Sequence, residues 1–293
     1  MKRLSSFRVV MRVAALAALA SLPARADAQT PPAAPSAAPA AAPAPPAVPR
    51  GGCQGLPSHA ALKAALVAAT QAETSGLNNH MWATVVNRDG VVCAVVFSGV
   101  NRGAQWPGSR VISAQKANTA NAFSLDSTSS SNGSGQAKGL ALSTANLYSA
   151  VQPGGSLYGL QHSNPVDTDA AYESGGSTGF GTGGDPMFNH AVGGVNVFGG
   201  GLPLYNAQHR LVGAIGVSGD SSCADHNIAW RTRARMALDF VPGGVSARGD
   251  DNINYQGIVA VPSSQADFSH PICKKAGVDE VSGISASLPP TRK

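Results

Sequence analysis

The sequence predicts an α+β fold, an α-β-α arrangement in which helices pack on an antiparallel five-stranded sheet. Three observations predict it. Two apolar runs, 81–86 and 91–97, flank the turn Asn87-Arg88-Asp89-Gly90 as a hairpin. The stretch 199–229 reads as two strands and a helix joined by glycine turns. The order of elements is helix, hairpin, helices, three strands, helix, which favours antiparallel pairing with the helices on the sheet faces.

Each element has a local reason. Ser58 can cap a helix over 58–76, where Ala61, Leu62, Ala65, Leu66 and Ala69 form one stripe. A second helix is expected over 109–123, a polar Ser/Gly loop over 127–135 and a short helix over 140–151. Residues 162–189 are rich in Gly, Ser and Asp and lack periodicity, which predicts a functional or disordered insertion. Strands follow at 194–198, 202–205 and 211–217, then a helix to about residue 238. Gly216 and Gly219 permit backbone positions that a Cβ forbids. Ser218, Asp220, Ser221 and Ser222 offer oxygens to cap the last helix.

The amino terminus reads as a secretory signal. Lys2, Arg3, Arg8 and Arg12 precede the apolar run 13–22, and Ala26-Asp27-Ala28 is a small-x-small site with cleavage expected after Ala28. The run is too short for a permanent membrane span. Residues 29–50 are mostly Ala and Pro and read as a semi-rigid linker. Residues 51–293 are then a single domain. A periplasmic or secreted protein is the expectation.

Charge supports no nucleic-acid or anionic-membrane partner. The chain carries 21 Lys+Arg and 16 Asp+Glu, and the first 28 residues hold five of the former and one of the latter, leaving 16 and 15. Arg231, Arg233 and Arg235 alternate along a helix and read as a solvated face. Four cysteines in an exported chain favour two disulfides, here Cys53 with Cys93 and Cys223 with Cys273. The rival is zinc held by Cys223, His226, His270 and Cys273, whose Cys-x-x-His and His-x-x-Cys spacings mirror each other.

Several motifs are excluded. Gly175-Gly176-Ser177-Thr178-Gly179 matches the serine-elbow pattern but lacks a preceding apolar strand. The spacing of Gly213, Gly216 and Gly219 fits neither a dinucleotide fingerprint nor a phosphate loop, and no C-x-x-C-H occurs for covalent haem.

Three motifs resemble the GlcG/HbpS family of haem-binding and glycolate-operon proteins. They are Gly200-Gly201-Leu202-Pro203 followed by 213–219 (GAIGVSG), Lys116-Ala117-Asn118-Thr119-Ala120, and the 85–90 hairpin, with Asp225 at the family's acidic position. The hairpin carries Asn87 where the family often has aspartate. The resemblance covers about 58–238 and leaves a carboxyl-terminal extension, 239–293. It implies a profilin-like layout and non-covalent haem binding by an exported homo-oligomer. The alternatives are a cofactor-independent isomerase or lyase acting on a small organic acid, and a sensory or structural partner module.

Candidate residues follow. Lys116, among small neighbours, can reach a carboxylate, and with the N–H groups around Ser218, Gly219 and Asp220 it would form an anion pocket beside Asp225. The candidate haem axial ligands are His162 and His190, which bracket the glycine-rich segment, and His226.

Overall fold

The computed structural model describes residues 52–126, 128, 139–172, 177–256, 267–273 and 287–293. The signal, the whole linker and most of the 127–135 loop lie outside these residues. The described residues belong to one compact unit, Ala47–Lys293.

The sheet is antiparallel with four strands, β1 (Trp82–Asn87), β2 (Val92–Phe97), β3 (Gly201–Tyr205) and β4 (Leu211–Ser218), in the order β2-β1-β4-β3. Every strand is buried, which requires cover on both faces. Helix α1 (His59–Gln71) and helix α4 (Ser222–Arg235) cover one face with Leu62, Leu66, Ile228 and Trp230 against Ala83, Val85, Ile215 and Val217. Helix α2 (Ser109–Ala122) covers the other with Val111, Ala114, Ala117 and Ala120 against Trp82, Val86 and Ala214. Period-two alternation sends odd and even residues of β1 to different helices. Pro203 is tolerated because β3 is an edge strand. Ser58 caps α1 as expected, accepting from Ala61 N.

Two expected elements are absent. The fifth strand, 194–198, is not a strand: Asn118 Nδ2 donates to Gly194 O and Asn196 N donates to Thr119 Oγ1, so side chains of α2 take the backbone groups a ladder would need. The expected helix over 140–151 is a series of turns ending in a 3₁₀ turn, Ser149–Val151. There Ala141 N donates to Gly243 O, Thr144 N to Gly201 O and Ser149 N to Ser269 O, which draws the backbone into tertiary bonds before a helix can propagate.

The 162–189 segment is anchored where it is described. It carries a short helix, α3 (Thr168–Tyr172), and is tied to α2 by Arg110, whose Nε donates to Asp185 at 2.9 Å beneath the Phe180 ring. The arginine cluster also departs from expectation. Arg235 is exposed, but Arg233 is fully buried, bidentate to Asp251 at 2.6 and 2.7 Å and bonded to Pro203 O. Its helical position faces the extension rather than water.

Both disulfides have the expected pairing, Cys53–Cys93 and Cys223–Cys273. The second joins the first turn of α4 to the extension across 50 residues. Replacing Cys223 and Cys273 by serine should lower unfolding free energy by roughly 4 kcal/mol in the chain-entropy model, read as a fall in the urea midpoint.

Candidate functional site

The site grows from the junction of β4 and α4. Ser221 caps α4, its Oγ accepting from Ala224 N, and Asp225 stands one turn further on. Lys116 projects from the middle of α2, on the opposite face of the sheet. Two close approaches let these groups meet. A Cβ at Gly216 would lie 1.9 Å from Ser113 O, so glycine allows α2 to rest on the backbone of β4. At Gly200, φ is +113° and a Cβ would lie 2.1 Å from Val217 O, so the 198–201 loop closes directly over the junction.

Lys116 and Asp225 are both 0% exposed. The Lys116 ammonium donates to Asp225 Oδ2 at 2.6 Å and to Val217 O at 3.0 Å, and lies 4.1 Å from the centre of the Phe198 ring. The other Asp225 oxygen accepts from Asp220 N at 2.8 Å. The turn and the lysine thus surround a carboxylate supplied by the chain itself. Burial raises the Asp225 pKa to about 7 against the opposing pull of Lys116, and burial lowers that of Lys116.

The remaining residues of the expected anion pocket have defined partners. Ser218 ends β4 opposite Trp82. Gly219 O accepts from Asn79 Nδ2, and the Asp220 carboxylate accepts from the backbone N–H groups of Leu77, Asn79 and Ser221. Asp220 therefore fixes the loop before β1.

The three candidate axial histidines separate. His162 and His190 are exposed. His226 is fully buried on α4, 5.9 Å from the Trp230 ring, and neither of its nitrogens meets a partner in hydrogen-bond geometry. Burial first, then the Arg233 charge, lowers its pKa to about 3, although the Asn252 side chain favours protonation weakly. It is a neutral imidazole whose polar neighbour is the Asn252 side chain.

Of the alternative zinc set, Cys223, His270 and Cys273 gather with their ligand atoms within 4.8 Å of one another. The two sulfurs are bonded to each other, which leaves neither as a thiolate in this state. His270 instead bonds Ser222 Oγ at 2.7 Å and Pro271 O at 2.6 Å. In the sequence Ser222 reads only as a capping oxygen, and Phe198 only as the end of the expected strand 194–198. Their partners lie 48 and 82 residues away in the chain, a separation that local pattern does not carry.

A four-stranded antiparallel sheet between helices, with a glycine-walled junction sealing a Lys–Asp pair, is an α-β-α scaffold of the profilin-like class. Residues 56–234 match the family described as haem degrading protein HbpS-like, and the chain belongs to that family. Similar solved structures include Klebsiella pneumoniae protein ORFY, at 23% identity and TM-score 0.38, covering 61% of this chain and 90% of that one. PduOC crystallised as a haem complex is 22% identical with TM-score 0.37, covering 60% and 89%. A double mutant of Streptomyces reticuli HbpS is 19% identical with TM-score 0.33, covering 67% and 97%. No curated protein is significantly similar to the chain.

Two outcomes test the electrostatics. Lys116→Met should cost roughly 3–5 kcal/mol at pH 8 by leaving a buried carboxylate uncompensated, and Lys116→Met with Asp225→Leu should recover most of it in urea unfolding. His226 contributes with a depressed native pKa, so its stability is present above the unfolded value near 6.5 and is lost as pH falls toward 3. The raised pKa of Asp225 works in the opposite direction, losing stability as pH rises from about 4 toward 7. His226→Leu should therefore flatten the acid limb of the stability curve between pH 6.5 and 4, measured by urea titrations at each pH.

Proposed function

We propose that this chain is an exported, homo-oligomeric HbpS-like protein that binds haem non-covalently. The observation that carries the reading is membership of that family over residues 56–234. The donor chemistry agrees with it. An imidazole bound to iron must be neutral and must offer a nitrogen lone pair, and His226 meets both conditions. His162 and His190 meet a haem approaching from solvent without rearrangement, whereas His226 requires the 198–200 loop to open. Lys116 and the N–H groups of the 218–220 turn are the cationic and donor groups for a propionate once Asp225 yields them. Haem itself would supply redox and oxygen chemistry at its iron. The chain's part is to hold and shield it. Export is supported by the two disulfides, and among the described residues no helix is long and apolar enough to cross a membrane.

A second reading rests on the buried Lys116–Asp225 pair, whose shifted proton affinities suit acid and base roles in an isomerase or lyase acting on a small organic acid. Turnover without any chromophore would identify it.

Haemin titrated into the mature protein should give a shifted Soret band that saturates at a fixed stoichiometry. One of His162→Ala, His190→Ala and His226→Ala should abolish the shift, and no shift at saturating haemin would remove the haem reading.

A further inference from the structure

We propose that Ser222 and His270 form a nucleophile–base dyad that acts on small polar acyl esters, a reaction separate from any binding of haem. Ser222 Oγ lies 2.7 Å from His270 Nε2, and His270 Nδ1 lies 2.6 Å from the carbonyl oxygen of Pro271. A carbonyl only accepts, so Nδ1 carries the proton, and in the neutral ring the lone pair is on Nε2. The Ser222 hydroxyl must then donate to it. This is the direction a general base requires, with the Pro271 carbonyl in the place of the acid that orients the imidazole in a catalytic triad. Burial lowers the pKa of His270, which keeps the ring neutral and able to accept.

Two further groups favour negative charge on the serine oxygen. Gly199 N donates to Ser222 Oγ at 2.6 Å, and Ser222 is the first residue of the 14-residue helix α4, at the positive end of its dipole. The base is held rigidly. His270 N donates to Asn254 O and His270 O accepts from Gln256 N, the Tyr148 ring packs 5.0 Å from the imidazole, and the Cys223–Cys273 bridge joins the residue after Ser222 to the third residue after His270.

A cavity lies beside the base. Ser222 is half-buried rather than sealed. An open cavity of about 490 Å³ reaches Ser269 and Pro271, the neighbours of the base in the chain, and is lined as well by Tyr148, Gln152, Gln256 and Asp267; Ser222 and His270 themselves lie behind its wall. Amide and hydroxyl groups on that wall suit a polar acyl or alcohol portion. In the step, Ser222 Oγ bonds to the ester carbonyl carbon as its proton passes to His270 Nε2. The carbon–oxygen bond to the alcohol then breaks, and that proton leaves on the alcohol. Water repeats the route on the acyl-serine, releasing the acid and restoring the serine.

The dyad joins a helix of the family core to the extension beyond residue 238. A hydrogen bond that only fastens the extension would have the same partners, and serine reactivity separates the two. The full-length, disulfide-bonded protein without haem is treated with a fluorophosphonate probe and mapped by mass spectrometry. A single adduct on Ser222 is expected, absent in Ser222→Ala and formed about 100-fold more slowly in His270→Gln of unchanged melting temperature. Should His270→Gln misfold, wild-type hydrolysis of p-nitrophenyl acetate must fall in proportion to adduct on Ser222. No adduct on Ser222 in the folded protein, labelling of folded His270→Gln at the wild-type rate, or ester hydrolysis indifferent to the adduct would overturn the proposal.

Discussion

The Lys116–Asp225 pair is the constraint around which this structure is arranged. Its partners stand on helices that cover opposite faces of the sheet, so the pair links the two outer layers past the end of β4. Removing two charges from water costs several kcal/mol per ion, and Coulomb attraction offsets that only with near-ideal geometry and satisfied hydrogen bonds. The molecule supplies those conditions through Val217 O, Asp220 N and the Phe198 ring. Each needs the backbone very close. That is the physical reason for glycine at 200 and 216, and it gives the family's glycine motif a packing role in which the turn encloses an internal carboxylate.

The extension beyond residue 238 follows the same logic with different groups. Arg233 is fully buried on α4 and would be intolerable there without Asp251, which comes from the extension and accepts both guanidinium nitrogens. Asn146 Nδ2 donates to Asn252 O, Asn254 N returns a bond to Asn146 Oδ1, and Asn254 Nδ2 reaches Val245 O and Phe268 O. A hydrogen-bonded polar interface of this kind, in which only the Nε of Arg233 lacks a partner among these groups, specifies one docked position more sharply than an apolar one of equal area. The Cys223–Cys273 bridge then limits how far the segment departs when it opens.

Much of this could be read from the chain, for identifiable reasons. The Ser58 cap, the Asn87–Gly90 hairpin, α2, β4 and α4 all rest on local signals, namely a capping oxygen, a turn and period-two or helical spacing, and these survive in the structure. Lys116 is legible as a candidate from its small neighbours and Asp225 from the family's acidic position, whereas their direct pairing is not. The errors share one cause. Residues 140–151 and 194–198 had suitable composition, but their backbone groups are claimed by partners far along the chain. Arg233 followed the same rule in reverse, since its solvated appearance ignored an acid 18 residues away in the extension.

Two imidazoles near the amino-terminal end of α4 show how environment divides one residue type between chemistries. His226 and His270 are both buried, and burial keeps both neutral. They differ in partners. His270 is bonded at both nitrogens, to a carbonyl that fixes its tautomer and a hydroxyl that faces its lone pair, so its capacity is proton transfer along a set direction. His226 packs beside the aromatic face of Trp230 with the Asn252 side chain as its polar neighbour, and no charged group or carbonyl fixes its tautomer as Pro271 fixes that of His270. The 198–201 loop meets His226 directly and His270 only through its hydroxyl partner, since Gly199 packs on His226 and donates to Ser222. The surroundings of His226 and of Ser222 therefore share the backbone of Gly199.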